Sequence, residues 1–345
     1  MAQASPVLGV DILTNLGRVA TAMNASLTET IENRVEIPSD FAGLRLDKAA
    51  ALLLPEHSRA ELTRWINEGA LTLDGSQVRP RTRVLGGETL ALGAQVEQRE
   101  AWQAAQYIDF DVLFEDQDVL IINKPAGLVV HPGAGNASGT LVNGLLHYRP
   151  GLGALPRAGI VHRLDKETSG IMVVAASAQA HRELTAAIAE RRIDRRYVAV
   201  CEGVMVAGQD IDQPIGRDAK LRTRQAVRDD GKPALTRIRV GDRFRRHTLV
   251  RAQLGSGRTH QIRVHMQSIG HPLVGDRQYG WRRIIPPGAE STTKTAIQGF
   301  GRQALHAARL SFEHPVSGQV MDYTAPMPKD LSHLIDILSA DAAAI

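Results

Sequence analysis

Nine mostly polar residues, His162-Arg163-Leu164-Asp165-Lys166-Glu167-Thr168-Ser169-Gly170, lie between two apolar runs. The runs are Gly159-Ile160-Val161 before and Ile171-Met172-Val173-Val174-Ala175 after. Short apolar runs of this kind read as buried β-strand, so the polar segment is predicted to be a loop on a rigid frame. The loop offers the carboxylate of Asp165 among basic and hydroxyl side chains. A carboxylate fixed beside cations stays ionised and can serve as a nucleophile. The plainer alternative is an Asx-type turn, with Asp165 and Thr168 bonding to nearby backbone.

A chain of 345 residues points to about two domains. The formal net charge is only +4, so charge alone does not prove nucleic-acid binding. The placement of arginine says more: Arg191, Arg192, Arg195 and Arg196 cluster, and arginines recur from Arg217 to Arg251. The planar guanidinium fork suits phosphate oxygens, which favours an RNA-facing surface over ordinary solvated faces. The single cysteine, Cys201, permits no disulfide within one chain and no cysteine-based zinc site. No apolar run approaches the ~18 residues of a membrane span. The N-terminus lacks the basic start and apolar core of a secretory signal, so a cytoplasmic location is expected.

Residues 1–33 are rich in Ala, Thr and Asn with weak periodicity, and are expected to be mostly disordered apart from a brief helix at Val10–Leu16. Residues 34–95 form a compact unit. Leu46, Ala49, Ala50 and Leu53 fit a first helix, ending near Pro55. Ser58-Arg59-Ala60-Glu61 is a capping-box pattern opening a second helix with Leu62, Trp65 and Ile66 on its apolar face, and Gly69 suits its stop. Leu71-Thr72-Leu73 and Thr89-Leu90-Ala91-Leu92 read as strands. Residues 96–107 form a polar linker. From 108 to 345 a larger domain begins. Val119–Ile122, Ile171–Val174, Tyr197–Val200, Leu249–Ala252 and Gln261–Met266 are strand-like, the last by its alternation of polar and apolar residues. Ala178–Ile193 reads as an amphipathic helix. Pro286-Pro287-Gly288 and Ser291–Lys294 suggest a mobile insertion. Strands outnumber helices and do not alternate regularly with them. An α+β fold with a mixed, mostly antiparallel central sheet is therefore expected, preceded by the small α+β unit.

The loop is one of several ordered motifs. Asn123-Lys124-Pro125 to His131-Pro132, Arg196-Tyr197-Val198-Ala199, Gly257-Arg258-Thr259-His260-Gln261-Ile262-Arg263, Pro272–Asp276 and Gln303–Ala307 follow in sequence. Together with His162–Gly170 they resemble the RluA-type pseudouridine synthases over most of the chain from Val119 onward. The unit at 34–95 resembles the S4-type RNA-binding fold, in which two helices pack on a small sheet.

The resemblance implies isomerisation of uridine to pseudouridine in RNA, at an extruded base, with no metal and no cofactor. Asp165 is then the carboxylate that attacks C1′ or assists proton removal from C2′. Tyr197 is the active-site tyrosine, and Arg258 the arginine that pairs with the aspartate. Arg163 would occupy the space left by the flipped base. Lys124, which with Pro125 would shape the cleft floor, and Arg263, a support behind the site or an RNA contact, are further candidates for RNA contact, with Arg45 and Arg59 on the helical face of the smaller unit. The expected partner is large-subunit ribosomal RNA or a pre-ribosomal particle, met by a monomer. A synthase acting on tRNA and a non-catalytic ribosome assembly factor are the alternatives. A metal held by His131, His162, His260, His265 or His306 is disfavoured because these residues are dispersed. Glycoside hydrolysis is disfavoured because it usually needs two acids flanking the bond, and Glu167 is the one near candidate.

Overall fold

A computed structural model describes residues 28–97 (apart from 56 and 58), 104–133, 136–221, 223–280 and 283–344. The chain divides into two compact units, Met1–Glu100 and Ala101–Ile345.

In the first unit, β1 (Thr28–Glu36), α1 (Leu46–Leu53), α2 (Arg59–Glu68), β2 (Leu71–Leu73) and β3 (Thr89–Glu97) follow in order. The sheet is antiparallel in the order β1-β3-β2. Alternation in the strands sends Leu71, Leu90 and Leu92 inward, where they meet Leu46, Ala49, Ala50, Leu62, Trp65 and Ile66 of the helices. Gly69 ends α2 with a left-handed φ of 78°, as a stop glycine should. β1 was not foreseen: residues 28–33, read as tail, pair with β3 through to Thr28↔Glu97. Its sequence, TETIENRVE, is too polar to carry a strand signal. The Val10–Leu16 helix, the Ser58 cap and half of the linker lie outside the described residues.

The second unit runs β4 (Asp111–Glu115), β5 (Val119–Lys124), α3 (Leu141–Tyr148), β6 (Ser169–Ala175), α4 (Ala178–Ala189), β7 (Asp194–Glu202) and β8 (Asp210–Asp212). A small hairpin follows, β9 (Ile215–Arg217) and β10 (Gln225–Val227). Then come β11 (Leu235–Arg243), β12 (His247–Leu254), α5 (Gln261–Ser268), α6 (Ser291–Gly299), β13 (Leu305–Glu313), β14 (Val320–Thr324) and α7 (Lys329–Ala343). Nine strands form one sheet in the order β4-β5-β6-β13-β7-β12-β11-β8, with β14 on β13. Only β6 and β13 run parallel; the other pairings are antiparallel.

β6 is buried along its whole length, as expected of a central strand covered on both faces. β7 alternates. Tyr197, Ala199 and Cys201 join the main core, while Val198 and Val200 face a second core built on Ile297, Leu331, Leu334 and Leu338 from α6 and α7. Gly170 lies where β6 meets β13, with φ of 120°, and a Cβ there would come within 2.2 Å of the Ala307 carbonyl oxygen. That approach explains the glycine that closes the nine-residue run. Two expectations need correction here. Ser291–Lys294 open the helix α6 rather than a mobile insertion. Gln261–Met266 belong to α5, not to a strand. All six of those residues are buried, so their polar–apolar alternation has no solvent face to reflect.

Candidate active site

Residues 162–168 form the loop that enters β6, and its backbone is fixed from several sides. The Asp165 carbonyl accepts a hydrogen bond from the Thr168 amide at 3.0 Å. Lys124 donates from Nζ to the carbonyls of Pro125 (2.8 Å), Leu128 (2.9 Å) and Lys166 (3.0 Å). The Gly127 amide donates to the same Lys166 carbonyl at 2.9 Å. Arg302 donates to the Glu167 carbonyl at 3.2 Å while its fork holds Asp330. Gln303 Nε2 donates to Thr168 Oγ1, and Ser169 Oγ meets His306 Nδ1 at 3.0 Å. The motifs at 123–132 and 303–307 therefore serve to hold this loop. His162 accepts the Val173 amide at Nε2 (3.0 Å), and burial pushes its pKa down to about 3, so the ring stays neutral.

Lys124 departs from the sequence reading. It is fully buried, and its three ammonium hydrogens are all given to backbone carbonyls. It cannot reach RNA; it ties the turn after β5 to the Asp165 loop. Burial lowers its pKa to about 7, against the opposing pull of Glu167 and Asp165.

The cation on Asp165 is also not the expected one. Arg263 Nη1 lies 3.1 Å from Asp165 Oδ2. The same guanidinium grips Asp276 through Nε (2.7 Å) and Nη2 (2.9 Å). Arg258 instead donates from Nε to the Pro233 carbonyl at 3.1 Å. The helix explains the exchange. Gln261 Oε1 accepts from the Arg258 amide and Ser256 Oγ, while its Nε2 donates to Leu235 O and Thr236 Oγ1. This anchors the start of α5, and Arg263, in its first turn, is delivered to Asp165. With 7% exposure and two carboxylates to serve, Arg263 is not an RNA contact.

His260, with a left-handed φ of 58°, places Nε2 3.9 Å from Asp165 Oδ1. Its Nδ1 is 2.8 Å from the Tyr279 hydroxyl, and the Arg263 guanidinium lies over the Tyr279 ring at 4.8 Å. Burial lowers the His260 pKa, with Asp165 opposing. Tyr197 is 6% exposed. Burial raises its pKa, the Arg195 charge opposes that shift, and the Asp165 charge adds to it. The phenol therefore stays protonated at neutral pH and sits within the electrostatic reach of Asp165. Asp276 and Tyr279 had no assigned role in the sequence reading, although Asp276 closes the Pro272–Asp276 motif.

Arg163 is exposed and makes no hydrogen bond or ion pair among the described residues. In the first unit, Arg45 and Arg59 converge on the buried carboxylate of Asp47, Arg45 by two bonds (3.0 and 2.7 Å) and Arg59 by one of 2.8 Å. Burial works against the Asp47 charge, but the two arginines outweigh it and lower its pKa. Both arginine side chains keep about half their surface exposed (43% and 54%).

Among the described residues, Asp116, Asp118 and His314 come close enough to suggest a metal site. Both ring nitrogens of His314 are engaged. Nδ1 accepts the Ser317 amide at 3.1 Å, so Nε2 carries the hydrogen that it shares with Asp116 Oδ2 at 3.0 Å. Asp118 accepts from Ser177, the N-cap of α4. The cluster is a hydrogen-bonded corner whose ring nitrogens are already spent.

Residues 118–268 match the RNA pseudouridylate synthase family and residues 44–90 match the S4 domain. The chain belongs to the RNA pseudouridine synthase family and is an isomerase that converts uridine to pseudouridine in RNA. Its relatives include the "Ribosomal large subunit pseudouridine synthase D" of Pseudomonas aeruginosa, 48% identical over 318 residues, covering 92% of this chain and 99% of the relative. The protein of the same name from Xanthomonas campestris is 49% identical over 307 residues, covering 89% and 92%. The structure of human RNA Pseudouridylate Synthase Domain Containing 4 is similar at 25% identity and a TM-score of 0.52, covering 66% of this chain and 92% of that one.

Proposed function

We propose that this chain isomerises uridines of large-subunit ribosomal RNA, with Asp165 as the carboxylate that works on the ribose. The supporting observation is the Asp165–Arg263 pair. One carboxylate oxygen lies on the guanidinium at 3.1 Å, and the side chain retains 18% exposure toward which a sugar can come. The names of the relatives supply the RNA target, and the S4 match supports a second RNA-binding surface carrying Arg45 and Arg59.

The target uridine leaves its stack, at a cost of a few kcal/mol that is least for an unpaired base. Arg163, exposed and unpaired, fills the vacated space. Asp165 attacks C1′ or helps remove a proton from C2′, the N1–C1′ bond breaks, and the uracil turns and rejoins through C5. Tyr197 stacks on the displaced base, its protonated phenol serving as a hydrogen-bond donor rather than a base. Arg258, five residues before Arg263 in the same motif and ahead of α5, supports the turn and is not the counter-ion. The reaction is redox-neutral and needs no nucleotide hydrolysis, so it calls for neither a redox cofactor nor a nucleotide; a monomer acting in the cytoplasm suffices for it. No helix among the described residues is long and apolar enough to cross a membrane.

Incubation with large-subunit ribosomal RNA and with bulk tRNA, followed by adduct mapping of pseudouridine, tests the target. Conversion of ribosomal RNA is expected. Conversion of tRNA alone would reject the target, and conversion of neither would favour a binding role.

A further inference from the structure

Among the described residues, Arg195 is a buried cation without a hydrogen-bond or ion-pair partner. It is 7% exposed, its Nε is buried with no hydrogen bond, and among the described residues no carboxylate lies within ion-pair distance of it. Taking a charge out of water without compensation is costly, and such groups in native folds are normally paired. The position of the guanidinium shows where a partner would come from. Arg195 precedes Tyr197 by two residues on β7, so both point to the same side of the sheet. Its Nη1 would lie 2.9 Å from a Cβ at Gly257, so the glycine before Arg258 is what leaves room for it. Its charge also acts on His162, at the root of the catalytic loop. Arg195 thus sits where the three walls of the site meet: the Asp165 loop, β7 and the turn into α5.

We propose that Arg195 is a further catalytic residue, one that stabilises the uracil anion released when the N1–C1′ bond breaks. The inference rests on the placement of Asp165 at the sugar proposed above. By either route the bond breaks heterolytically and its electron pair leaves with the base. The negative charge is shared among N1, O2 and O4 of the uracil. That charge is discharged when C5 bonds to C1′; the C5 hydrogen then departs as a proton and N1 takes one up, so the product is neutral. For this interval an anion lies beside Tyr197, the residue on which the base stacks. A fixed guanidinium in a water-poor site is worth most against charge that develops during the reaction. A backbone phosphate is the competing partner. The depth of Arg195, on the same face of β7 as the buried Tyr197, favours the base.

The test is single-turnover conversion of a target RNA by the full chain and its Arg195→Met variant at saturating protein. The rate is expected to fall about 100-fold, as for loss of one preorganised donor, with RNA affinity nearly unchanged. Arg195→Lys should restore much of the rate by returning the charge. With 5-fluorouridine at the target, fluorine stabilises the departing anion, so loss of that nucleoside should suffer less from Arg195→Met than uridine does. Weakened affinity, a salt-dependence slope lower by about one and an unchanged saturated rate would mean a phosphate contact, and would overturn the proposal. Equal losses for both nucleosides would also overturn it. Should Arg195→Met fail to fold, Arg195→Gln takes its place in each comparison. Retained activity in Asp165→Asn would instead defeat the underlying placement of Asp165, whatever Arg195 does.

Discussion

Replacing Arg263 by Met should damage the fold and the chemistry together, and a second substitution should separate them. Asp276 has a fully buried side chain whose two oxygens take the Nε and Nη2 hydrogens of Arg263 at 2.7 and 2.9 Å. Its Oδ1 also accepts the amides of Gln278 and Tyr279 at 3.0 and 3.1 Å. Arg263→Met would strand that charge, a loss of about 3–5 kcal/mol for a broken buried pair. For a unit of this size each kcal/mol lowers Tm by about 2–4 °C, so a fall of roughly 10 °C is expected. Adding Asp276→Asn removes the stranded charge while its amide oxygen can still accept the two backbone hydrogens. The double variant should therefore regain at least half of the lost stability. It should regain no activity, because Asp165 still lacks its counter-ion. Urea unfolding, with hydrogen exchange at β6 to report on this unit, reads the first quantity, and single-turnover pseudouridine formation reads the second. A single variant as stable as the parent, or a double variant no better than the single, would refute the reading of Arg263 as a bridge between two carboxylates.

Arg258→Ala should keep most of the activity that Arg263→Met loses, since Arg258 spends its Nε on the Pro233 carbonyl; equal loss in the same assay would restore Arg258 as the counter-ion. His162 should make the fold acid-sensitive. Its folded pKa of about 3 lies below the ordinary 6.5, so between those values the unfolded chain binds a proton that the folded one does not, and stability falls as pH drops. His131, lowered to about 4 by burial and by Arg157 and Arg163, adds in the same direction. His162→Gln, which can still accept the Val173 amide, should flatten the fall in urea titrations from pH 6.5 to about 4; an unchanged slope would count against it.

The strands β5, β6, β7 and β12 and the helix α4 were legible because their patterns are dictated by burial on one or both faces. The two helices of the small unit were legible for the same reason. β1 was not, because its TETIENRVE sequence is held by backbone pairing with β3 rather than by an apolar face. Asp165 and Tyr197 could be located from the motifs that surround them. The identity of the counter-ion could not, because Arg258 and Arg263 share one motif and the choice depends on whether the segment is strand or helix. As a strand it sends alternate residues to opposite faces; as α5, anchored through Gln261, it turns Arg263 onto Asp165. For Lys124 the sequence suggests a place in the cleft floor, but not that Nζ is spent on three converging carbonyls and so withheld from RNA.

The central claim is that the Asp165 carboxylate performs the chemistry at the ribose. Asp165→Asn keeps the size of the side chain and an oxygen for Arg263 while removing the charge. Mixed in excess with a large-subunit ribosomal RNA fragment, the variant should bind as tightly as the parent and yield no pseudouridine by adduct mapping. Pseudouridine formed at a comparable rate by Asp165→Asn would contradict the account at its root.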